Sequence, residues 1–302
     1  MELAANGRTD REDAPLVFCV VVNWNGWRDT VACLESLRMQ DYPALRIVVV
    51  DNASTDDSVE RIRAAFPAID VLQAAANRGF AAGGNVGIRF GIERGAKFVW
   101  LLNNDTVAPP DTLRKLIVAG SQMRIGLVGT VLRYMHDPAE IQAWGGGSIV
   151  RWSGFVTHFR GPAPLGPNTY LTFASVLLRR EMVETVGMLD EGYFMYFEDA
   201  DLSFRARAAG WELAAATATG VLHKEGGSAG VKKSARVDRI VTASGMRFLG
   251  RYGRPRAVAQ MLFVLSRLGK RAVHGNLAGM RAVLRGVGDW RRNEPMAFQE
   301  ER

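Results

Sequence analysis

The sequence predicts an α/β protein: a mostly parallel central sheet with flanking helices, plus a helical C-terminal extension. Three observations carry this. Short apolar runs at 16–22, 47–50 and 98–102 lack polar alternation, as strands buried on both faces require. Helical patterns lie between them at the spacing of βαβ units. Beyond about residue 245 the pattern is helical and basic.

Each element can be justified in turn. The strand 16–22 ends at Asn23-Trp24-Asn25-Gly26, and a helix follows over 30–39, where Val31, Leu34 and Leu37 share a face. The strand 47–50 ends at Asp51-Asn52-Ala53-Ser54-Thr55-Asp56, and Asp56 or Asp57 can cap a helix over 58–66. A short strand spans 70–72. The segment Asn77-Arg78-Gly79-Phe80-Ala81-Ala82-Gly83-Gly84-Asn85 leads into a helix that runs to about Arg94, with Gly95 as its stop. The strand into Asn103-Asn104-Asp105 comes next, and Pro109-Pro110-Asp111 opens another helix. Regularity falls after 126, and 133–170 reads as long loops with short strands. A strand is expected over 172–178, a helix over 198–209 closed by Gly210, and a strand ending at His223.

Composition narrows the class. At 302 residues, 48% hydrophobic and 23% charged, the chain can bury a large core. The +7 net charge lies wholly in residues 251–302, which carry 11 basic and 4 acidic side chains. A neutral main body argues against nucleic acid as a partner. Cys19 and Cys33 fit as small buried apolar residues in a reducing cytoplasm. The polar start of the chain has no apolar signal core, and no run is long enough to span a bilayer. The expected organisation is a disordered tail over 1–15, a catalytic domain over 16–240 and a basic extension over 241–302.

The candidate chemistry sits at strand ends, where ligands bind in open α/β sheets. Asp105 there suits a hard divalent cation held against a diphosphate. Asp51 could accept the imide N–H of a pyrimidine, although Asp51-Asn52 is more plainly a turn. The glycines over 79–87 do not form the dinucleotide fingerprint. They could admit a sugar or diphosphate to a helix amino end, or simply allow tight helix packing. In Tyr193-Phe194-Met195-Tyr196-Phe197-Glu198-Asp199-Ala200-Asp201, helix capping suffices for Asp201. The aromatic approach suggests a desolvated base at Glu198 or Asp199. His223 after an apolar strand is commonly a satisfied polar residue, yet an imidazole can complete a cation site. His136, His158 and His274 read as surface or loop residues.

The ordered set 21–25, 50–56, 77–85, 102–106, 197–202 and His223 resembles the family-2 inverting glycosyltransferases of the GT-A fold, and most of all their rhamnosyltransferase branch. The resemblance covers roughly 16–228. It implies transfer of a sugar, L-rhamnose from dTDP-rhamnose, to a hydroxyl of a saccharide or polyprenyl-linked saccharide in cell-envelope polysaccharide synthesis. It implies Asp51 at the pyrimidine of a dTDP- or UDP-sugar, with Asn23, Asn25, Asn52, Gly79, Asn85, Asn103 and Asn104 lining the donor. Asp105 and His223 become ligands of Mg²⁺ or Mn²⁺, and Asp199 the base, with Glu198 in reserve. Asn103 and Asn104 stand where many relatives have carboxylates, as is usual in this branch. The Arg-Asn pair many relatives carry is not evident at 242–247.

Two rival classes fit an α/β chain with these motifs less well. A sugar-1-phosphate nucleotidyltransferase needs a glycine-rich, arginine-containing loop after the first strand, which 23–27 is not. A non-catalytic nucleotide-sugar scaffold is disfavoured by the Glu198-Asp199 pair. In the extension, Val258, Met261, Leu262, Leu265 and Leu268 repeat at helical spacing among basic residues. The preferred reading is that this stripe packs on the catalytic domain or a partner. The alternative is contact with an anionic membrane surface, which would make a cytoplasmic protein peripheral on the inner face of the plasma membrane.

Overall fold

Alternating strands and helices deliver the candidate residues to one edge of a sheet. The computed structural model describes residues 14–224 and 234–293. Residues 1–13, 225–233 and 294–302 lie outside the described residues, and with them the stretch Glu225 to Ser228 and all of the expected tail over 1–15 but Ala14 and Pro15. The chain runs β1 (Val17–Asn23), α1 (Trp27–Arg38), β2 (Leu45–Asp51), α2 (Ser58–Ala65), β3 (Asp70–Gln73), α3 (Gly79–Glu93), β4 (Phe98–Asn103), β5 (Thr106–Val107) and α4 (Thr112–Ala119). It continues through β6 (Ile125–Tyr134), β7 (Ile141–Trp144), β8 (Gly146–Val150), β9 (Phe155–His158), β10 (Thr169–Leu171), β11 (Ser175–Arg179), α5 (Arg180–Val186) and α6 (Glu198–Ala208). It ends with β12 (Glu212–His223), α7 (Ala235–Tyr252), α8 (Arg256–Ala272) and α9 (Leu277–Arg292).

The main sheet has the order β3-β2-β1-β4-β11-β6-β12-β5, with β7 on β6. Strands β3, β2, β1, β4, β6 and β12 share one direction, and β11, β5 and β7 oppose it. Strand β1 has β2 on one side and β4 on the other, both parallel to it. The winding therefore reverses at β1 and opens a crevice beyond the strand tips. The register sets Asn23 beside Asp51 and Val22 beside Asn103, so three polar tips meet there. A small antiparallel sheet, β10-β8-β9, stands nearby.

The glycines of α3 bring that helix down onto β1. A Cβ on Gly83, Gly87 or Gly91 would lie 2.9, 2.2 or 2.9 Å from the side chains of Val22, Val20 and Phe18 respectively. Four helical residues rise about 6 Å and two strand residues about 6.6 Å, so the two ladders stay in step. Tight packing thus accounts for these glycines, the plainer of the two readings.

One cluster of buried residues joins Cys33, Leu34 and Leu37 to Trp100 and Leu102. A second joins Ile88 of α3 to Phe18, Val20, Val99 and Leu101. Cys19 and Cys33 are buried free thiols. A third, aromatic cluster of Tyr193, Phe197, Phe204, Phe248 and Phe263 ties α7 and α8 to the loop before α6.

Some expectations need correction. The strand expected over 172–178 begins at Ser175, because Thr172 gives its N–H to Gly145 O and Phe173-Ala174 turn into a cavity wall. Helix α7 runs across the 240/241 line drawn between domain and extension. On α8, Ala259 and Phe263 are buried and Leu262 lines the cavity, while Val258, Met261 and Leu265 of the expected stripe are exposed, so the stripe is not packed on the catalytic domain along its whole length. The reason is local, since the Phe263 ring fills the space that a Cβ at Gly245 would occupy, 2.3 Å from its Cζ. No described helix is long and apolar enough to cross a membrane.

Candidate active site

A cavity of about 1090 Å³ opens over the tips of β1 and β4 and is walled on its far side by α7 and α8. Asp105, His223, Glu198 and Asp199 all face it, as do Asn52, Gly79, Asn103 and Asn104.

At one end, His223 closes β12 and Asp105 follows β4. His223 Nδ1 lies 2.7 Å from Gln142 Oε1. An amide oxygen can only accept, so Nδ1 carries the proton and Nε2 presents a lone pair in the neutral ring. That Nε2 is 3.3 Å from Asp105 Oδ1 and 3.4 Å from Asn103 Nδ2. A lone pair and a carboxylate oxygen thus converge at a largely buried point, which suits a divalent cation. Among the described residues no third His, Cys, Asp or Glu joins them.

At another point of the same wall, α6 begins under strain. Tyr196 and Phe197 adopt φ of +69° and +68°, a conformation that bulky residues rarely hold. Such strain persists only where the surroundings enforce it. Here Phe197 packs on Phe248, with ring centroids 5.3 Å apart, and the two carboxyls that follow are aimed into the cavity. Burial raises the Asp199 carboxyl to about 7, even though its Oδ1 accepts Ala200 N–H at 2.7 Å. Burial, then the charge of Asp199, pushes Glu198 well above the carboxylate range, and Glu198 Oε2 is a buried atom with no hydrogen-bond partner. Burial thus raises both carboxyls, Glu198 well above its ordinary range and Asp199 to about 7. The sequence leaves Glu198 and Asp199 as alternatives, and both face the cavity.

Asp201 faces away from this chemistry. It is fully buried and accepts from Arg205 Nε and Arg251 Nη1, each at 2.6 Å, and from Tyr252 Oη at 3.0 Å. Its role is to fasten α6 to α7, beyond the capping expected of it.

Other expected donor residues are set back from the cavity. Asp51 is 1% exposed; it accepts Asn23 Nδ2 at 2.8 Å, Ser54 N at 2.9 Å and Ser54 Oγ at 2.6 Å. Asn23 accepts Thr30 Oγ1, and Asn25 bonds Thr55 through both ends of its amide. These residues form the floor beneath the strand tips. Asn85 is not on the cavity wall: its Oδ1 accepts Leu189 N and its Nδ2 donates to Leu189 O and Glu191 Oε1, clamping the 189–191 loop. The amino end of α3 is partly used too. Phe80 donates its N–H to Phe194 O at 2.8 Å, and a Cβ at Gly79 (φ +89°) would stand 1.9 Å from that oxygen. Gly79 thus lets the 193–197 loop close onto α3, and its own carbonyl accepts Asn52 Nδ2.

Sequence reasoning missed several wall residues. Gln142 orients His223, yet a lone glutamine in a short strand carries no pattern. His158, read as a loop residue, lies on the cavity wall with its Nε2 3.4 Å from Tyr170 Oη. The Tyr170 hydroxyl is pushed up by burial and then by Asp199. Arg236 stacks over Trp24, 4.8 Å from the ring centroid, where α7 meets the tip of β1.

The chain is similar to known proteins in sequence and in fold. The model for Glycosyl transferase family 2 matches residues 18–187. The N-acetylglucosaminyl-diphospho-decaprenol L-rhamnosyltransferase of Mycobacterium tuberculosis is 27% identical over 221 residues, covering 65% of this chain and 72% of that protein. The low-salt glycan biosynthesis hexosyltransferase Agl10 of Haloferax volcanii is 24% identical over 191 residues and covers 62% of this chain. The match spans only 60% of that archaeal protein's length. Among solved structures, the mannosyltransferase PcManGT of Pyrobaculum calidifontis in complex with GDP-Man and Mn²⁺ has a TM-score of 0.59 at 17% identity, covering 94% of this chain and 89% of that one. GalNAc-T7 with UDP, GalNAc and Mn²⁺ gives the same TM-score at 15% identity, covering 92% of this chain and 57% of that one. The fold is the expected GT-A fold, and the chain belongs to glycosyl transferase family 2.

Proposed function

We propose that this chain moves a hexose, L-rhamnose from dTDP-rhamnose, onto a hydroxyl of a saccharide or lipid-linked saccharide acceptor, with inversion at the anomeric carbon. The observation that carries this reading is the convergence of Asp105, His223 and Asp199 on one cavity. The rhamnosyltransferase among the relatives supports the choice of sugar.

The donor lies over the strand tips, with Asn52, Gly79, Asn103 and Asn104 along it and the Asn23, Asn25 and Asp51 floor beneath its base. Asp105 and His223 would hold Mg²⁺ or Mn²⁺, which when bound neutralises the charge gained by a departing diphosphate. Asp199 takes the proton of the acceptor hydroxyl, and that oxygen attacks the anomeric carbon from the face opposite the nucleotide. The sugar–phosphate bond breaks, releasing the nucleoside diphosphate, and the proton rests on Asp199.

The test is hydrolysis of a panel of nucleotide sugars by the purified chain with Mn²⁺. Release of dTDP from dTDP-rhamnose above other donors is expected. Cleavage of none of them, or preference for a purine donor, would overturn the assignment.

A further inference from the structure

Three side chains of α7 reach the loop that delivers the two acids to the cavity. Ser244, Arg247 and Arg251 are spaced i, i+3 and i+7, so they share one face of the helix. Ser244 Oγ donates to Met195 O at 2.9 Å. Arg247 donates to both oxygens of Asp190, Nη2 to Oδ1 at 3.0 Å and Nε to Oδ2 at 3.3 Å. Its guanidinium also lies over the Tyr193 ring, 5.5 Å from the centroid. A Cβ at Gly192 would stand 2.2 Å from Arg247 Cζ, so glycine is what lets the guanidinium lie against that backbone.

Arg251 spans the loop. Its Nη1 is 2.6 Å from Asp201 Oδ1 and its Nη2 is 3.3 Å from Asp190 Oδ2. One guanidinium thus ties together two carboxylates eleven residues apart in the chain. Between them lie the left-handed Tyr196 and Phe197, then Glu198 and Asp199. Closing the ends of such a segment costs entropy, and holding two bulky residues at positive φ costs strain. Both must be offset by contacts from outside the segment. Asn85 and Phe80 of α3 supply some of these, at Leu189 and Phe194. Helix α7 supplies the rest: from Ser244 to Arg251 it rises about 10.5 Å, a rigid edge that pins the loop at its middle and at both ends.

We propose that Arg251 is a positioning residue for the base. By clasping Asp190 to Asp201 it closes the 190–201 loop, and the closed loop aims Asp199 into the cavity. Arg251 stands outside the cavity wall, so it acts through the loop and not on the substrate. A lysine at this position keeps the charge, but its single nitrogen cannot reproduce the planar fork that reaches both carboxylates. This rests on the transferase reading, and adds to the catalytic unit a residue of the expected extension, beyond the 240/241 line.

The experiment compares Arg251→Ala and Arg251→Lys with Asp289→Ala. Asp289 accepts Arg239 Nη2 at 3.0 Å and fastens α9 to α7, so its loss weakens the fold without touching the loop. Release of dTDP from dTDP-rhamnose with Mn²⁺ is followed well below each melting temperature. Arg251→Ala should lose about 100-fold in kcat, the scale for a displaced catalytic group, with KM and the calorimetric affinity for dTDP–Mn²⁺ unchanged. Arg251→Lys should stay slow, and Asp289→Ala should lose stability yet keep kcat. Amide hydrogen exchange should quicken over 193–201 in Arg251→Ala and stay unchanged over α3. Wild-type kcat in either Arg251 variant overturns the proposal. So does an equal loss of kcat in Asp289→Ala, which would make the effect one of stability alone, and so does unchanged exchange over the loop. Failure of the transferase reading shows separately, as no dTDP release by the wild-type chain, while the exchange comparison still reports on the clasp.

Discussion

Nε2 of His223 lies 3.3 Å from Oδ1 of Asp105, and the far nitrogen of the same ring is held by Gln142 at 2.7 Å. The glutamine fixes the tautomer, so the lone pair is turned toward the carboxylate before any ion arrives. Asp105→Ala should abolish the dependence of dTDP binding on Mn²⁺. Gln142→Ala should keep that dependence but weaken Mn²⁺ about 10- to 100-fold, the usual cost of losing an outer partner of a ligating histidine. Titration of Mn²⁺ against each variant, with dTDP present and absent, checks both. A Gln142→Ala protein with unchanged Mn²⁺ affinity would remove His223 from the ligand set.

The pH profile should report Asp199. Its carboxyl is raised by burial from an ordinary 3.8 to about 7, and only the ionised form accepts a proton. Transfer measured as kcat/KM should therefore climb with pH and level off above about 7. Stability should move the other way. The folded protein binds this proton more tightly than the unfolded chain, so the group's contribution is present below 3.8 and is lost as pH rises toward 7. Asp199→Asn should cost about 10²- to 10⁴-fold in rate, leave dTDP binding intact and flatten the rising limb. Glu198→Gln should keep that limb, because the limb belongs to Asp199, whose carboxyl is raised chiefly by burial.

Much of this frame is legible in the sequence, for a physical reason. Strands buried on both faces must be apolar throughout, so β1, β2 and β4 read as uninterrupted runs whose first polar residue marks the tip. Asn23, Asp51 and Asn103 mark the tips of these strands in this way, and Asp105 follows the last of them. The same signal fails to separate a residue that meets ligand from one that braces the loop, since both need a polar side chain at a strand end. Asp51, Asn25 and Asn85 brace. Strand β6 was hidden because Gly129 sits inside it, where a Cβ would stand 2.6 Å from Gly145 O. In α8, spacing shows one apolar stripe, and only the packing of Phe263 decides which face of the helix turns inward. The left-handed Tyr196 and Phe197 leave no trace at all, because neither residue type favours that conformation.

Asp201, close to Asp199 in the chain, should behave as its opposite. It is wholly buried, and removing it strands Arg205 and Arg251 beside the aromatic cluster. Asp201→Ala should destabilise the protein by about 3 kcal/mol, the scale for breaking one side of a buried ion pair, reduced by the partial exposure of both arginines. Chemical denaturation of the two variants separates the roles: a loss of stability in Asp201→Ala, and near-native stability with low activity in Asp199→Asn. A stable but inactive Asp201→Ala would move the base to that position.

The contact of α3 with β1 should tolerate no added methyl at its centre. A Cβ at Gly87 would lie 2.2 Å from Val20 Cγ1 and 2.8 Å from Cγ2, and Val20 is itself buried in the sheet. Alanine gains about 1 kcal/mol of helix propensity over glycine. Overpacking a rigid core costs about 1–3 kcal/mol, and the β-branched valine has little freedom to turn aside. The clash should win, and Gly87→Ala should lower the melting temperature. Gly269 on α8 is the matched control: it is helical, exposed, and a Cβ there meets nothing within 4 Å. Gly269→Ala should therefore raise the melting temperature, since only the propensity gain remains. If both substitutions stabilise the protein alike, the helix does not sit against β1 as closely as this glycine ladder requires, and the floor of the donor site must be redrawn with it.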